Sequence, residues 1–286
     1  MPEKSGFLLI DKPAGWSSFD AVRWLRKLSG IKRIGHTGTL DPFATGLLIC
    51  ALGPVTRLCR FLENADKSYE AVLRLGIQTA SGDPEGEVIR ESGEIPSEVD
   101  AVFLREKLLS IRELPPPLFS AIKIKGRPAY DYARKGLHLE LPARPAQILD
   151  FELLSYQAPE LVYRCRASKG TYIRSLSEYI ATSLGTVGYT TSLRRLSIGK
   201  VSVDDAHHPE HFEAEKLAAN FYPPRKLFED FEILEPGEAE LSALKQGKKT
   251  PNPGQDCQRI LLLDQTGKAL GMAERKAGML FPTINL

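Results

Sequence analysis

One carboxylate stands in a stretch otherwise rich in Lys and Arg: Asp41 is the only acid between Asp20 and Glu63. It sits in Gly35-His36-Thr37-Gly38-Thr39-Leu40-Asp41-Pro42-Phe43-Ala44-Thr45-Gly46, a run with three glycines, one proline and three threonines. Gly and Pro weaken helices and strands alike, so the run reads as a loop whose glycines let backbone or a ligand come close. A lone carboxylate there can cap a turn, pair with a base, or react as a nucleophile or proton acceptor. His36, five residues earlier, can bond locally or offer an aromatic face to a base. No Gly-Lys-Ser/Thr follows the glycines, which argues against a nucleotide-phosphate loop.

The run Gly-His-Thr-Gly-Thr-Leu-Asp-Pro-x-Ala-Thr-Gly resembles the catalytic loop of the TruB family of pseudouridine synthases, which act on the T-loop uridine of tRNA. Further segments carry the likeness: Asp11-Lys12-Pro13-Ala14-Gly15 with Ser17-Ser18, then Lys67-Ser68-Tyr69, Ser168-Lys169-Gly170-Thr171-Tyr172-Ile173-Arg174 and Leu193-Arg194-Arg195-Leu196. They follow the family's order, which one chance loop match would not do. The resemblance implies that Asp41 is the essential nucleophile and Arg174 its cationic partner. It implies that Tyr69 stacks on the flipped uracil with its phenol near C5, that Tyr172 and Leu193 wall the pocket, and that His36 fills the gap the base leaves. Lys12 either supports the loop or contacts phosphate. Asp83 matches an acidic position in the family's second loop, with turn stabilisation as an equal alternative. Read without the family, Arg174 pairs with Glu178 one helical turn on, and Tyr69 and Leu193 are core residues.

Turning uridine into pseudouridine breaks a glycosidic bond, rotates the base and rejoins it through carbon. Nothing is oxidised and no group is lost, so neither cofactor nor metal is expected. An ionised Asp41 could attack sugar C1′ or base C6, or act as a base on a glycal route; the residues leave all three open. Burial raises a carboxylate's pKa, and an adjacent guanidinium lowers it by about one to three units; Arg174 is expected to keep Asp41 ionised. A base inside the tRNA elbow must be extruded before it can react.

Composition fits a soluble cytoplasmic enzyme, expected to work as a monomer without an obligatory protein partner. Among 286 residues no apolar run reaches the length of a membrane span, and the N-terminus lacks a secretory signal's apolar core. The four cysteines, at 50, 59, 165 and 257, show no Cys-x-x-Cys spacing, so structural zinc and disulfides are not expected. The net charge of +2 hides a pattern. Residues 161–200 hold seven bases and one acid, and residues 119–145 six bases and two acids, whereas 81–114 hold nine acids and four bases. Folded onto one face, the basic segments would suit a phosphate backbone such as the tRNA T-arm. Two rival readings use that same face. One is a non-catalytic RNA-binding or RNA-folding protein, which would have no use for Asp41 and Arg174. The other is the guide-RNA-dependent relative that modifies ribosomal RNA, which usually carries Ser after the motif's His and long extensions; this chain has Thr37.

To position these groups the sequence predicts strands over 7–10, 46–52, 67–75, 121–125, 148–156, 161–167 and a pair within 190–203. Helices are predicted over 18–28, 55–62, 97–111 with a Ser cap, 129–135 and 171–184. Without a regular βαβ repeat the expected class is α+β, a mainly antiparallel mixed sheet flanked by helices, as in the pseudouridine synthase fold that the resemblance implies. The pattern lapses near Tyr222-Pro223-Pro224, a candidate linker. It separates a catalytic unit over 1–225 from a β-rich unit over 231–286, where the family carries a small RNA-binding PUA-type domain.

Overall fold

The computed structural model describes residues 5–120, 123–124, 127–128 and 141–286. The predicted helix over 129–135 lies outside the described residues. So does most of the predicted strand over 121–125, of which Lys123–Ile124 pairs with Arg127–Pro128.

An eight-stranded mixed sheet forms the centre. Its main strands are β1 (Gly6–Lys12), β2 (Ile34–His36), β3 (Thr45–Leu52), β4 (Lys67–Leu75), β5 (Ile148–Gln157), β6 (Glu160–Ala167) and β7 (Gly188–Ile198). The order is β1-β3-β7-β4-β6-β5, with β2 also on β3 and the short Val201–Ser202 strand on β7. Every pairing is antiparallel except β7 with β3. β4 shows why the sheet forms. Its residues alternate between buried and half-buried, the period of two that sets every second side chain on one face. Tyr69, Ala71, Leu73 and Leu75 enter the core beneath helices α2 (Ala101–Leu109) and α3 (Ile173–Ser183).

Helix α1 (Ser18–Ser29) covers the β1–β3 end of the sheet with Ala21, Val22 and Leu25. Its start is fixed by a capping box: Asp20 N–H donates to Ser17 Oγ at 3.1 Å, and Ser17 N–H to Asp20 Oδ2 at 2.9 Å. Gly30, at φ 72°, ends it. Two predicted helices differ. The one over 97–111 begins only at Ala101, because Asp100 rather than Ser97 caps the amides of Val102 and Phe103. The one over 55–62 is a 3₁₀ turn, Gly53–Leu58, with Pro54 in its first turn, followed by the short helix Cys59–Glu63.

A five-stranded sheet follows, from Glu232–Leu234, Thr250–Pro251, Cys257–Leu263, Ala269–Lys276 and Met279–Asn285, with helix α4 (Glu238–Lys245). The candidate linker is not an open tether. Tyr222 N–H donates to Phe7 O at 2.8 Å, and Leu227 and Phe228 are buried. Leu261 and Leu263 of the second sheet share one apolar cluster with Phe7, Leu9 and Leu47 of the first. Among the described residues no helix is long and apolar enough to cross a membrane.

Candidate active site

The loop after β2 is held on both sides of Asp41. Ser18, at the start of α1, accepts from Leu40 N–H at 2.8 Å and donates back to Leu40 O at 3.2 Å. Lys12, at the end of β1, donates to the carbonyls of Pro13 (3.0 Å), Trp16 (2.5 Å) and Pro42 (3.4 Å). Gly15 N–H adds a bond to Pro42 O at 2.8 Å. Lys12 is fully buried, and burial, then the nearby Arg195 charge, lowers its pKa to about 8. Of the two roles open to it, this geometry matches loop support, since its ammonium is spent on carbonyls of the loop region and has no free surface. The loop leaves through Gly46, at φ 102°, against the Arg195 backbone; a Cβ there would lie 2.3 Å from Arg195 O. Only glycine permits this approach.

Arg174, in the first turn of α3, reaches that loop. Its Nη2 donates to Asp41 Oδ1 at 3.1 Å, and its Nε stands 2.9 Å from Oδ2. On its other side Nη1 donates to Asp83 Oδ2 at 3.1 Å and to Ser81 O at 2.7 Å, and Nη2 also donates to Phe119 O at 3.0 Å. Among the described ion pairs it has these two carboxylates and not Glu178. Asp83 does more than shape a turn. It accepts from Ser81 Oγ and Glu85 N–H with Oδ1 and from the guanidinium with Oδ2.

The two carboxylates are unequal. The Asp83 side chain is 6% exposed and that of Asp41 30%. Asp41 opens into a cleft of about 450 Å³ lined also by Tyr69, Tyr172, Arg174, Leu193, Phe119 and Ser120. Burial pushes the Asp41 pKa above its ordinary 3.8; Arg174 opposes this, and the Asp83 charge adds to it. Of the two opposing effects expected from the sequence, desolvation is the larger, and the guanidinium is what opposes it. Burial likewise raises the phenol of Tyr69, with Arg195 pulling it back, and that of Tyr172.

Five sequence candidates meet at this cleft: Asp41, Tyr69, Tyr172, Arg174 and Leu193. His36 is not in the wall. It is half-buried on β2, its Nδ1 accepting from Gly38 N–H at 3.3 Å, and burial lowers its pKa from the ordinary imidazole value. Two cations in the wall had no role from sequence, Lys67 and Arg195. Lys67 donates to Glu63 O at 3.0 Å and Ala65 O at 2.7 Å, and burial lowers its pKa to about 8. The signal was present: each lies two residues from a pocket residue (Tyr69, Leu193) on the same strand, which puts them on one face. No group of three or more His, Cys, Asp or Glu among the described residues could hold a metal.

Comparison with known proteins follows the same lines. Residues 26–173 match the N-terminal domain of the TruB family of pseudouridylate synthases. The tRNA pseudouridine synthase B of Azoarcus sp. (strain BH72) is 38% identical over 283 residues, spanning 97% of this chain and 93% of the relative. That of Chlamydia pneumoniae is 43% identical over 203 residues, 71% of this chain and 86% of the relative. Among solved structures, a chain of a Cbf5-Nop10-Gar1 complex superposes with a TM-score of 0.71 at 20% identity, covering 98% of this chain and 84% of that one. A chain of the archaeal box H/ACA sRNP Nop10-Cbf5 complex gives 0.66 at 20% identity, covering 95% and 79%. These two share the fold.

Proposed function

Since the chain belongs to the TruB family of pseudouridine synthases, we propose that it isomerises uridine 55, in the T-loop of tRNA, to pseudouridine with Asp41 as nucleophile. The observation that carries this is the Asp41–Arg174 pair: a carboxylate gripped by a buried guanidinium, yet one-third open to a cleft walled by Tyr69, Tyr172 and Leu193. A pair built only for stability would have no reason to face a cavity.

The target uridine flips into the cleft and its ring lies against Tyr69, while His36, outside the cleft wall, occupies the stack that the base has left. Arg174 fixes the direction of the Asp41 carboxylate with its planar fork, which a lysine cannot reproduce. The carboxylate attacks sugar C1′ or base C6 as the glycosidic bond to N1 breaks, the detached uracil turns within the walls of Tyr172 and Leu193, and C5 joins C1′ while the bond to Asp41 is released. The C5 proton then leaves by way of Tyr69. The enzyme acts on tRNA as a monomer, in the cytoplasm, without an obligatory protein partner. Arg166 lines one groove together with Asp66 and Asp230, where Lys200 pairs with Asp230 at 2.9 Å, and beside it Lys169 donates to Asn64. Arg166 and Lys169 are the cations there that support a phosphate-binding face, and for the second sheet we propose a PUA-like role in holding tRNA.

The test is incubation with unmodified tRNA, followed by chemical mapping of pseudouridine. A single new pseudouridine in the T-loop is expected, also in an isolated T-arm hairpin. Binding should weaken with salt at a log–log slope of about −0.7 to −0.9 per phosphate contact. Modification at another loop would overturn the substrate assignment, and binding indifferent to salt would overturn the basic face.

A further inference from the structure

A second arginine is buried in the cleft wall. Arg195 is 1% exposed, and among the described ion pairs none includes it. A buried cation without a carboxylate is costly unless its donors are met. Its Nε donates to Leu47 O at 2.7 Å, its Nη2 to Gly38 O at 3.1 Å and its Nη1 to Thr39 O at 3.4 Å. Two of these carbonyls belong to the Asp41 loop. In the register of β7 on β4, Arg195 stands directly opposite Tyr69, and directly opposed residues send their side chains to the same face. Both line the cleft.

We propose that Arg195 is a positioning residue for the isomerisation, holding the Tyr69 phenol by its oxygen and tying it to the carbonyls of the Asp41 loop. The nucleophile's loop and the group that handles the C5 proton are then set by one side chain. This rests on the synthase reading above. In the reaction one proton leaves C5, its bonding electron pair returns to the ring, and N1 gains a proton, so the balance closes within the base. A phenolate accepts the C5 proton and becomes a phenol. A cation at its oxygen raises the share of phenolate at any given pH, opposing the burial that raises the phenol's pKa. The other charged or titratable groups around Tyr69 are Cys165, opposite it on β6, and Asp41, with Lys67, Glu63, Tyr172 and Arg174 elsewhere in the cleft wall.

The test needs no RNA. The protein is labelled with ¹³Cζ-tyrosine, the Tyr69 resonance is identified by its loss in Tyr69→Phe, and it is titrated in wild type, Arg195→Gln and Arg195→Lys. In Arg195→Gln the Tyr69 ionisation should move upward by about one pH unit. In Arg195→Lys it should also move upward, because a buried lysine gives up its proton far more readily than arginine; that variant carries the test should the glutamine variant not fold. With tRNA, the single-turnover rate of Arg195→Gln should fall at least about tenfold while Kd changes less than about threefold. A Tyr69 ionisation unmoved in the folded variants overturns the proposal, as does a rate that falls only in step with Kd. Wild-type protein that forms no pseudouridine in unmodified tRNA would instead defeat the synthase reading and leave the titration result standing.

Discussion

Arg174 and Arg195 both line the cleft and are both almost fully buried, yet they keep opposite company. Arg174, at the start of a helix, meets two carboxylates. Arg195, in the middle of a strand, meets three backbone carbonyls and a phenol. The first arrangement fixes the charge that we propose reacts: Asp83 and Ser81 hold one edge of the guanidinium, so that the other edge is presented to Asp41. The second fixes a shape, because carbonyls cannot titrate and the Asp41 loop, which supplies two of them, cannot drift from β3, which supplies the third, without breaking these bonds. The lesson is that a buried arginine's function follows from its acceptors, since its own charge is the same in both places.

The largest effect is expected at the reactive end of the Arg174 side. Asp41→Asn keeps the side chain's shape and removes its charge. Release of the C5 hydrogen in a single turnover should fall by more than about a thousandfold, with tRNA Kd within about threefold. A variant that keeps a tenth of the wild-type rate shows that Asp41 is not the nucleophile.

Removing the cation comes next. Arg174→Ala strands Asp83 and much of Asp41 without a partner, and denaturant unfolding should show a loss of about 3–5 kcal/mol together with loss of activity. Arg174→Lys retains the charge without the fork, so its rate should fall far more than its tRNA affinity. Equal losses of rate and affinity would recast Arg174 as a phosphate contact.

A finer cut separates the two carboxylates. With Asp41 as the proposed nucleophile the rate needs it ionised, and burial raises its pKa, so activity should be present above that raised value and be lost as pH falls through it. The acid limb should therefore lie above 3.8. The Asp83 charge contributes to the rise, so Asp83→Asn should move the limb to lower pH even as the looser guanidinium lowers the plateau rate by roughly tenfold, the scale of a positioning contact. A limb that moves to higher pH would mean that Asp83 acts mainly by anchoring Arg174. The smallest effect is expected at Ser18→Ala, which leaves Leu40 N–H without its buried acceptor. Stability should fall by about 1–3 kcal/mol and the rate only a few-fold, as read by thermal melts and single turnovers. An unchanged rate would show that Leu40 needs no such tether.

Much of this was legible in the chain. The alternation of Tyr69, Ala71, Leu73 and Leu75 marked a half-buried strand, and Ser17 with Gly30 marked both ends of α1. Capping was harder to read: the sequence pointed to Ser97, and the backbone amides that chose Asp100 show themselves only in three dimensions. Lys12 could be given two roles because a lysine after a strand looks the same whether its ammonium meets a phosphate or the carbonyls of Pro13, Trp16 and Pro42.

By itself the sequence determined which groups are available and which local shapes they can take: a Gly-rich loop around one acid, a period-two strand carrying Tyr69, a helix that begins near Arg174. Those properties depend on neighbours a few residues apart, where propensity and periodicity operate. Only the tertiary structure decided which charges meet. Asp41 and Arg174 are 133 residues apart in the chain, Asp83 and Arg174 are 91 apart, and Arg195 faces Tyr69 through a strand register. It also decided the sign of the Asp41 shift, because desolvation depends on how much protein closes over a carboxylate and the guanidinium's pull on how closely it approaches. Neither quantity exists until the chain has folded.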